Sequence, residues 1–245
     1  MTWAAGPYVA FDVETTGVDV EADRIVTAAL VFVEGKTPLV RTWLIDPGVE
    51  IPEGATAVHG VSTAQARAEG VAPATALAQM ATALCADLRA GVPVVAMNAS
   101  FDLTILDREL LRYGLGGLGE RLGGYGAVRP VLDPFVLDRE VDKYRRGKRT
   151  LTALCEFYGV DLGDDAHNAA ADALAACRLM WKLATRYPRE IGARPVDVLH
   201  DLQVKWHAAR QADFADYLRR KGEDASDVDG SWPIRVPKNG QEAVA

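Results

Sequence analysis

A short apolar strand that ends in two carboxylates constrains the fold of this chain most. Residues 9–17 have the sequence VAFDVETTG, in which an apolar run leads into two acids and a Thr-Thr-Gly break. Side chains two residues apart point to the same face of a strand, so we expect Asp12 and Glu14 to lie together. Two like charges at that distance repel each other unless a cation or a shared proton offsets them. From these residues alone, an exposed strand end whose acids serve only solubility is the alternative.

The composition is typical of a globular protein from a reducing compartment. The 245 residues suffice for one large domain or for a domain with an extension, and 49% of them are hydrophobic and 25% charged. No apolar run reaches the ~18–20 residues that span a bilayer, and no secretory signal is evident. Three widely spaced cysteines without a CxxC pair indicate buried thiols rather than disulfides or zinc ligands. We therefore expect a cytoplasmic protein without a membrane partner.

The net charge of −7 argues against broad electrostatic attraction to nucleic acid, although a local basic groove remains compatible with it. The one strongly basic stretch is KYRRGKR at residues 143–149. It is either a phosphate-binding segment or a solvated loop. We favour phosphate contacts from Arg145, Arg146 and Lys148, with Tyr144 available for stacking on a base.

The hydrophobic pattern predicts an α/β fold with a mixed sheet covered by helices. Antiparallel strands come first, and strands that alternate with helices follow. In such folds the functional crevice lies at the carboxyl ends of the strands, where both Asp12 and Asp102 would lie. The pattern predicts strands at residues 9–14, 24–33, 38–45, 92–97 and 131–133, helices at 63–68, 73–88, 98–111, 134–141, 151–158, 169–183 and 196–221, and loops at 46–61 and 114–126.

Two further acids and one histidine complete the candidate site. Asp102 is in the first turn of its predicted helix, where the helix dipole alone would account for an acid. Asp172 lies in an Ala- and Leu-rich helix, and a solvated helix residue is its simple alternative. His167 precedes Asp172 by five residues, which corresponds to about 140° around a helix. We therefore place His167 on the loop before that helix.

Four carboxylates beside such a crevice suit hard divalent cations, which prefer oxygen ligands. Two divalent cations would also balance the summed charge of the four acids. Two such ions can activate a water molecule, orient a phosphodiester and stabilise the leaving oxygen. A histidine with a pKa near neutrality can remove the proton of that water.

Three segments together resemble the motifs of the DEDDh exonucleases, whose best-known members are the proofreading epsilon subunits of bacterial DNA polymerase III. They are DVETTG at residues 12–17, NASFD at residues 98–102 and HNAAAD at residues 167–172. The third segment distinguishes this group from the sister DEDDy group, which has Tyr four residues before the last Asp. That position is Asn168 here.

The resemblance covers about residues 8–187 and implies a ribonuclease-H-like fold with a five-stranded mixed sheet flanked by helices. It implies 3′→5′ hydrolysis from a nucleic-acid end, release of nucleoside monophosphates and two divalent cations, Mg²⁺ or Mn²⁺. By position, the metal ligands would be Asp12, Glu14, Asp102 and Asp172, and His167 would be the general base. The contacts to the terminal nucleotide would come from Thr15, Thr16, Gly17, His59, Asn98 and Phe101.

The extension formed by residues 188–245 does not match the proofreading members. Its pattern predicts a helix with one broad apolar side, followed by an extended tail anchored by Trp232, and we expect both to pack on the domain of residues 1–187. Residues 211–218, QADFADYL, faintly resemble the peptides that dock on sliding clamps. A polymerase or a clamp is therefore a second possible partner.

Three functions remain open at this point. The first is an exonuclease that acts on DNA, in proofreading or in DNA repair. The second is the same enzyme with short RNA as its substrate, because the contact that distinguishes the 2′-hydroxyl cannot be identified from sequence. The third is a polymerase-associated module that binds nucleic acid, which would not need His167.

Overall fold

The computed structural model describes residues 3, 6–35, 37–162 and 168–237, with a five-stranded sheet at its centre. The strands are β1 (Tyr8–Thr15), β2 (Ile25–Val33), β3 (Leu39–Leu44), β4 (Val94–Val95) and β5 (Val131–Leu132). Their order in the sheet is β3-β2-β1-β4-β5. The first three strands pair antiparallel, whereas β4 and β5 run parallel to β1. The predicted mixed sheet is confirmed.

Helices cover both faces of this sheet. The helices are α1 (Glu53–His59), α2 (Thr63–Glu69), α3 (Pro73–Arg89), α4 (Ala99–Arg112), α5 (Leu118–Leu122), α6 (Pro134–Val141), α7 (Leu151–Tyr158), α8 (Ala169–Arg186) and α9 (Val196–Lys221), with a 3₁₀ turn at Tyr125–Ala127 and a π-helical turn at Pro188–Gly192. The side chains of α3 and α4 build one core, and those of α7 and α8 build the other.

The alternation of β1 determines which face receives its carboxylates. Val9, Phe11 and Val13 are buried in the core with α3 and α4. Tyr8 and Ala10 are buried in the core with α8. Because side chains two residues apart share a face, Asp12 and Glu14 continue the Tyr8 and Ala10 row towards α8. The strand therefore carries its acids on the side of the sheet that α8 covers.

The predicted loop at residues 46–61 was wrong in its second half, which forms α1. None of the side chains of this helix is buried, so no apolar periodicity marked it in the sequence. The predicted loop at residues 114–126 was wrong as well, because it contains α5 and a 3₁₀ turn. The glycines of this segment had suggested a loop, but Gly119 lies inside α5 and allows close packing, since a Cβ on it would lie 2.7 Å from the ring of Tyr125.

The first half of α9 lies along the outer edge of β5 and satisfies its backbone. The N–H of Val131 donates to Nδ1 of His200 at 3.1 Å. Gln203 donates from Nε2 to the carbonyl of Val131 at 3.0 Å and accepts the N–H of Asp133 on Oε1 at 2.7 Å. Both side chains are buried, so two polar side chains of α9 occupy the place where a sixth strand would pair.

The tail after α9 packs against α4. Trp232 and Ile234 are buried in the core, and the N–H of Arg235 donates to the hydroxyl of Thr104 at 3.0 Å. The second half of α9 differs from the predicted broad apolar side, because Phe214 and Tyr217 are about half exposed. A boundary between residues 187 and 188 stays a prediction.

Over the described ranges, no helix combines the length and the apolar character needed to cross a membrane. The three cysteines are buried free thiols, as their spacing predicted.

Candidate active site

Three carboxylates meet at the carboxyl end of β1. Asp12 and Glu14 come from the strand, and Asp172 comes from the first turn of α8. One ligand oxygen from each of the three residues lies within 4.8 Å of the other two. Three of the four predicted metal ligands are therefore close enough to bind one ion together.

The sequence of α8 explains how Asp172 reaches the strand. The helix begins after Asn168, whose side chain accepts the N–H of Ala170 at 3.0 Å and so satisfies a donor of the first turn. Ala169 and Ala173 are buried against the sheet, and their small side chains let the helix axis approach β1 closely. An acid in this first turn then projects over the end of the strand.

Asp102 approaches β1 from α4. Its side chain is 4% exposed, and its Oδ1 accepts the backbone N–H of Val13 at 3.2 Å. It is not a member of the three-carboxylate group, although its charge raises the pKa of Asp12. The fourth predicted ligand is thus beside the group and bonded to the strand between its two acids.

The electrostatics of the group show a surplus of negative charge. Burial, followed by the charges of Asp102, Asp172 and Glu14, holds the pKa of Asp12 well above its ordinary value. Burial and then Asp172 raise the pKa of Glu14 to about 7. A hard dication would offset both the repulsion and the cost of burying the charges, and the three oxygen donors match the ligand preference of Mg²⁺ and Mn²⁺. The donor set therefore fits a divalent metal.

The predicted general base, His167, lies outside the described residues together with residues 163–166. Its role stays a prediction.

The segment after the strand is an ordered turn. Thr16 is buried, donates its hydroxyl to Asp23 at 2.7 Å and accepts the N–H of Arg24 at 3.0 Å. A Cβ on Gly17 would lie 2.4 Å from the carboxylate of Asp23, so a larger residue would displace that carboxylate from the hydroxyl of Thr16 and the N–H of Asp19. The hydroxyl of Thr15 donates to the carbonyl of Gly17. The structure gives these residues a role in shaping the turn, and their contacts to a nucleotide stay predictions.

His59 ends α1 next to the start of α8. Its Nδ1 accepts the N–H of Val61 at 3.2 Å, and its buried Nε2 has no partner among the described residues. Burial lowers the pKa of His59, an effect that the backbone of Thr15 opposes. The ring lines a cavity of about 280 Å³ that Asn168 and Ala169 also line. The backbone of Thr15 therefore lies close to the ring of His59, and the predicted nucleotide contact of His59 stays a prediction.

Asp133 is a buried residue whose role the sequence did not reveal. Its carboxylate accepts the N–H groups of Asn98, Ala99 and Phe135 at 2.9–3.0 Å, and burial raises its pKa to about 6. Asn98 has φ +65°, a left-handed conformation that Asn tolerates better than most residues. Asp133 therefore fixes the start of α4, and with it Phe101, which is partly buried against the core. The only sequence signal was an acid directly before Pro134.

The basic segment of residues 143–149 divides into two kinds of cation. Arg145 and Arg149 form ion pairs with the buried Asp138 at 3.1 and 2.7 Å. Removing a partner from a buried carboxylate is strongly destabilising, so Arg145 supports the fold, and its predicted phosphate contact stays a prediction. Arg146 and Lys148 are exposed, and Tyr144 is 89% exposed. These three remain available for the predicted contacts.

A mixed five-stranded sheet with acids at the mouth of its central strand, facing an acid from a covering helix, defines a nuclease-like site. The exonuclease family RNase_T matches residues 9–180. The chain therefore belongs to this exonuclease family, as the three motifs predicted.

Relatives of known name agree with this assignment. The chain is 33% identical over 181 residues to a DNA polymerase III subunit epsilon-like protein of Rhodobacter capsulatus, a match that covers 72% of this chain and 23% of that protein. It is 27% identical over 199 residues to the PolC-type DNA polymerase III of Lacticaseibacillus paracasei, which covers 81% and 13% respectively. The chain thus spans less than a quarter of the length of these relatives.

Solved structures agree at the level of the fold. Exonuclease I of E. coli in complex with a dT13 oligonucleotide has a TM-score of 0.61 at 20% identity, over 75% of this chain and 42% of that chain. Exonuclease I in its SSB-Ct complex has a TM-score of 0.60 at 18% identity, over 83% and 44%. The predicted ribonuclease-H-like fold is confirmed.

Proposed function

We propose that the chain is a metal-dependent 3′→5′ exonuclease of the DEDDh type that acts on single-stranded or frayed DNA ends and releases nucleoside 5′-monophosphates. The observation that carries this proposal is the convergence of Asp12, Glu14 and Asp172 within 4.8 Å at the end of the central strand. Membership of the exonuclease family supports phosphodiester hydrolysis as the reaction, and the three acids support this end of the strand as the place where it occurs.

The residues that would hold two divalent cations are Asp12, Glu14 and Asp172, with Asp102 beside them. When bound, Mg²⁺ or Mn²⁺ would supply charge stabilisation at the scissile phosphate and lower the pKa of the attacking water. Because Asp102 bonds to the backbone of Val13, it also holds the end of β1 in position. Rigid positioning of ligands of this kind preserves the geometry that the reaction needs.

The other residues divide into proton transfer and substrate positioning. His167, on the chain just before α8, would take the proton of the attacking water. Phe101 and the turn of residues 15–17 would position the terminal nucleotide, and His59 would contact it across the cavity beside α8.

DNA is the favoured substrate because the named relatives belong to DNA polymerase III and the similar Exonuclease I chain was solved with dT13. Hydrolysis of short RNA remains the alternative within the same site, since the choice depends on how the 2′-hydroxyl is accommodated. A binding module of a polymerase is the alternative from another class.

The test compares matched single-stranded DNA, duplex DNA with a mismatched 3′ end and short RNA, each with Mg²⁺ or Mn²⁺. We expect metal-dependent release of 5′-monophosphates, fastest from single-stranded DNA. Asp172→Asn should be inactive, whereas Glu156→Gln, an exposed acid on α7, should behave as the wild type. Binding without hydrolysis of any substrate would favour the module, and faster hydrolysis of RNA would favour the ribonuclease.

A further inference from the structure

A cavity of about 440 Å³ lies between α6, α9 and the turn that follows α9. Its volume is within the range of ligand-binding clefts, roughly 300–1,000 Å³. Asn98 and Ser100 form part of its wall, and they belong to the same motif as Asp102. None of the four proposed metal ligands lines it. We call this cavity the α6–α9 groove.

Four cations line the α6–α9 groove, and none of them forms an ion pair with another described residue. They are Arg139, Lys143, Arg210 and Arg235, and none of their side chains has a hydrogen bond to another described residue either. The buried Nε of Arg139 is without an acceptor. Burial, then the charges of Arg210 and Arg149, lowers the pKa of Arg139 to about 10, and the charges of Asp138 and Asp133 oppose this shift. An anion in the groove would relieve this repulsion and pair the guanidinium.

The acids of the same wall are placed differently. Four of the five acids, Glu140, Asp213, Asp224 and Asp227, are exposed, so solvent and salt screen them more than they screen the partly buried guanidinium of Arg139. The fifth, Asp229, is partly buried, and its carboxylate already accepts the N–H of Ser231 at 2.7 Å. Asp224 also accepts hydrogen bonds from Ser226 within its own turn. The arrangement favours a ligand whose negative charge reaches Arg139.

Aromatic surface accompanies these cations. The guanidinium of Arg139 lies 4.2 Å from the ring centroid of Phe135, which holds it in place. Phe214 lines the groove and is 48% exposed. Basic groups that follow a phosphate backbone, interleaved with exposed aromatic rings, are the pattern that binds single-stranded nucleic acid, because every base has a face that can stack.

We propose that the α6–α9 groove holds the single-stranded nucleotides upstream of the 3′-terminal dinucleotide, with phosphates on Arg139 and Arg210 and a base on Phe214. The proposal rests on the proposed function and names single-stranded nucleic acid as its substrate class. Bases inside a duplex stack on each other and do not offer a free face to Phe214. The C-terminal extension would then be part of the substrate-binding surface.

The experiment measures binding and hydrolysis separately on the full chain. Binding of a 5′-fluorescent oligothymidylate of about 12 nucleotides is followed by anisotropy in EDTA at several salt concentrations. The kcat/KM values for the same oligonucleotide and for a thymidine dinucleotide are measured with Mn²⁺. The variants are Arg210→Ala and Arg139→Gln, and the matched control is Arg220→Ala, an exposed cation of α9 that does not line the groove.

We expect Arg210→Ala and Arg139→Gln each to weaken binding of the long oligonucleotide about tenfold and to reduce its salt slope by about 0.7. The kcat/KM for the long substrate should fall similarly, while the value for the dinucleotide should stay unchanged. Arg220→Ala should match the wild type. Arg210 is exposed, so its variant separates lost binding from lost folding.

Two outcomes would overturn the proposal. The first is that the groove variants bind the long oligonucleotide as tightly as Arg220→Ala does, and the second is that their kcat/KM falls equally for the long oligonucleotide and for the dinucleotide. If the wild type hydrolyses no substrate but the variants still lose binding, the groove stands and the proposed function fails. Phe214→Ala tests the stacking contact, because it should weaken binding without changing the salt slope. Unchanged binding by Phe214→Ala would remove that contact from the proposal.

Discussion

The carboxylate of Asp102 accepts the backbone N–H of Val13 at 3.2 Å, and the two residues are 89 positions apart in the chain. Val13 lies between Asp12 and Glu14, so one hydrogen bond connects α4 to the strand segment that carries both acids. This contact places the fourth acid within the electrostatic reach of Asp12 without adding it to the three-carboxylate group. It links the second motif of the sequence physically to the first.

Removing one acid of the site should abolish hydrolysis without unfolding the protein. We expect Asp12→Asn and Asp172→Asn to be inactive, with melting temperatures in EDTA equal to or above that of the wild type. The reason is that burial and like charges raise the pKa of Asp12, so its ionised form opposes folding when no metal is bound. Nuclease assays and thermal melts check this, and substantial remaining activity in either variant would refute the ligand assignment.

Replacing the proposed base should slow turnover but spare binding. We expect His167→Ala to lower kcat by roughly 10²–10⁴-fold, the usual contribution of general acid–base catalysis, with little change in DNA affinity. The pH–rate profile should lose its low-pH limb. If that limb persists unchanged in the variant, another group is the base.

The two kinds of cation in residues 143–149 should respond differently to mutation. We expect Arg146→Ala with Lys148→Ala to weaken DNA binding and flatten its salt dependence, at an unchanged melting temperature, because both side chains are exposed. Arg145→Ala should instead lower the melting temperature, because it leaves the buried Asp138 with fewer partners. Binding titrations and melts distinguish the two, and a destabilised double variant would contradict the division.

His200 should make stability fall in mild acid. Burial, followed by the charge of Arg129, lowers its pKa from 6.5 to about 4. Between these two values the imidazole is protonated in the unfolded chain but stays neutral in the folded chain. Stability attributable to this group is complete above pH 6.5 and is lost as the pH falls towards 4, by at most about 3 kcal/mol. We expect the loss to be smaller in His200→Asn, which keeps an acceptor for Val131 but does not titrate in this range. Denaturant unfolding across this pH range measures it, and equal slopes in the two proteins would contradict the assignment.

Removing the contacts of α9 should destabilise the sheet. Gln203→Leu leaves the N–H of Asp133 and the carbonyl of Val131 buried without partners, and each such group costs about 1–3 kcal/mol of the free energy of unfolding, which denaturant melts measure.

Truncation after Tyr187 should expose apolar surface of the domain and reduce its solubility, although all four carboxylates of the site remain in the shortened chain. A soluble fragment with an unchanged melting temperature would show instead that the extension is a separate docking arm.

The acids of the site could be predicted from the sequence because their signals are local. An apolar run with acids two residues apart marks a strand and the face that it presents, and Asp172 stands out in a helix rich in alanine. Spacing on a strand or a helix follows from backbone geometry and needs no knowledge of the tertiary fold. The mixed sheet followed from the order of the same elements.

The residues that the sequence missed act through distant partners. Asp133 accepts hydrogen bonds from backbone N–H groups about 35 residues away in the chain. Arg145 forms an ion pair with Asp138, whose need for a cationic partner arises from its burial in the folded chain. His200 and Gln203 are polar positions of a helix that the pattern treated as amphipathic. Their function depends on α9 lying beside β5, which no local pattern contains.

The side chains of His200 and Gln203 close one edge of the sheet, so its two edges differ. At β5 the outward backbone groups of Val131 and Asp133 are already paired, so a further strand cannot be added there. At the opposite end, β3 is an edge strand on which Leu39 and Val40 are 59% and 45% exposed. Among the described strands, an extended peptide or a second copy can therefore join this sheet by strand pairing only beside β3, and only before Leu44, whose carbonyl already accepts the N–H of Val71 at 2.8 Å. Any such assembly is therefore directional.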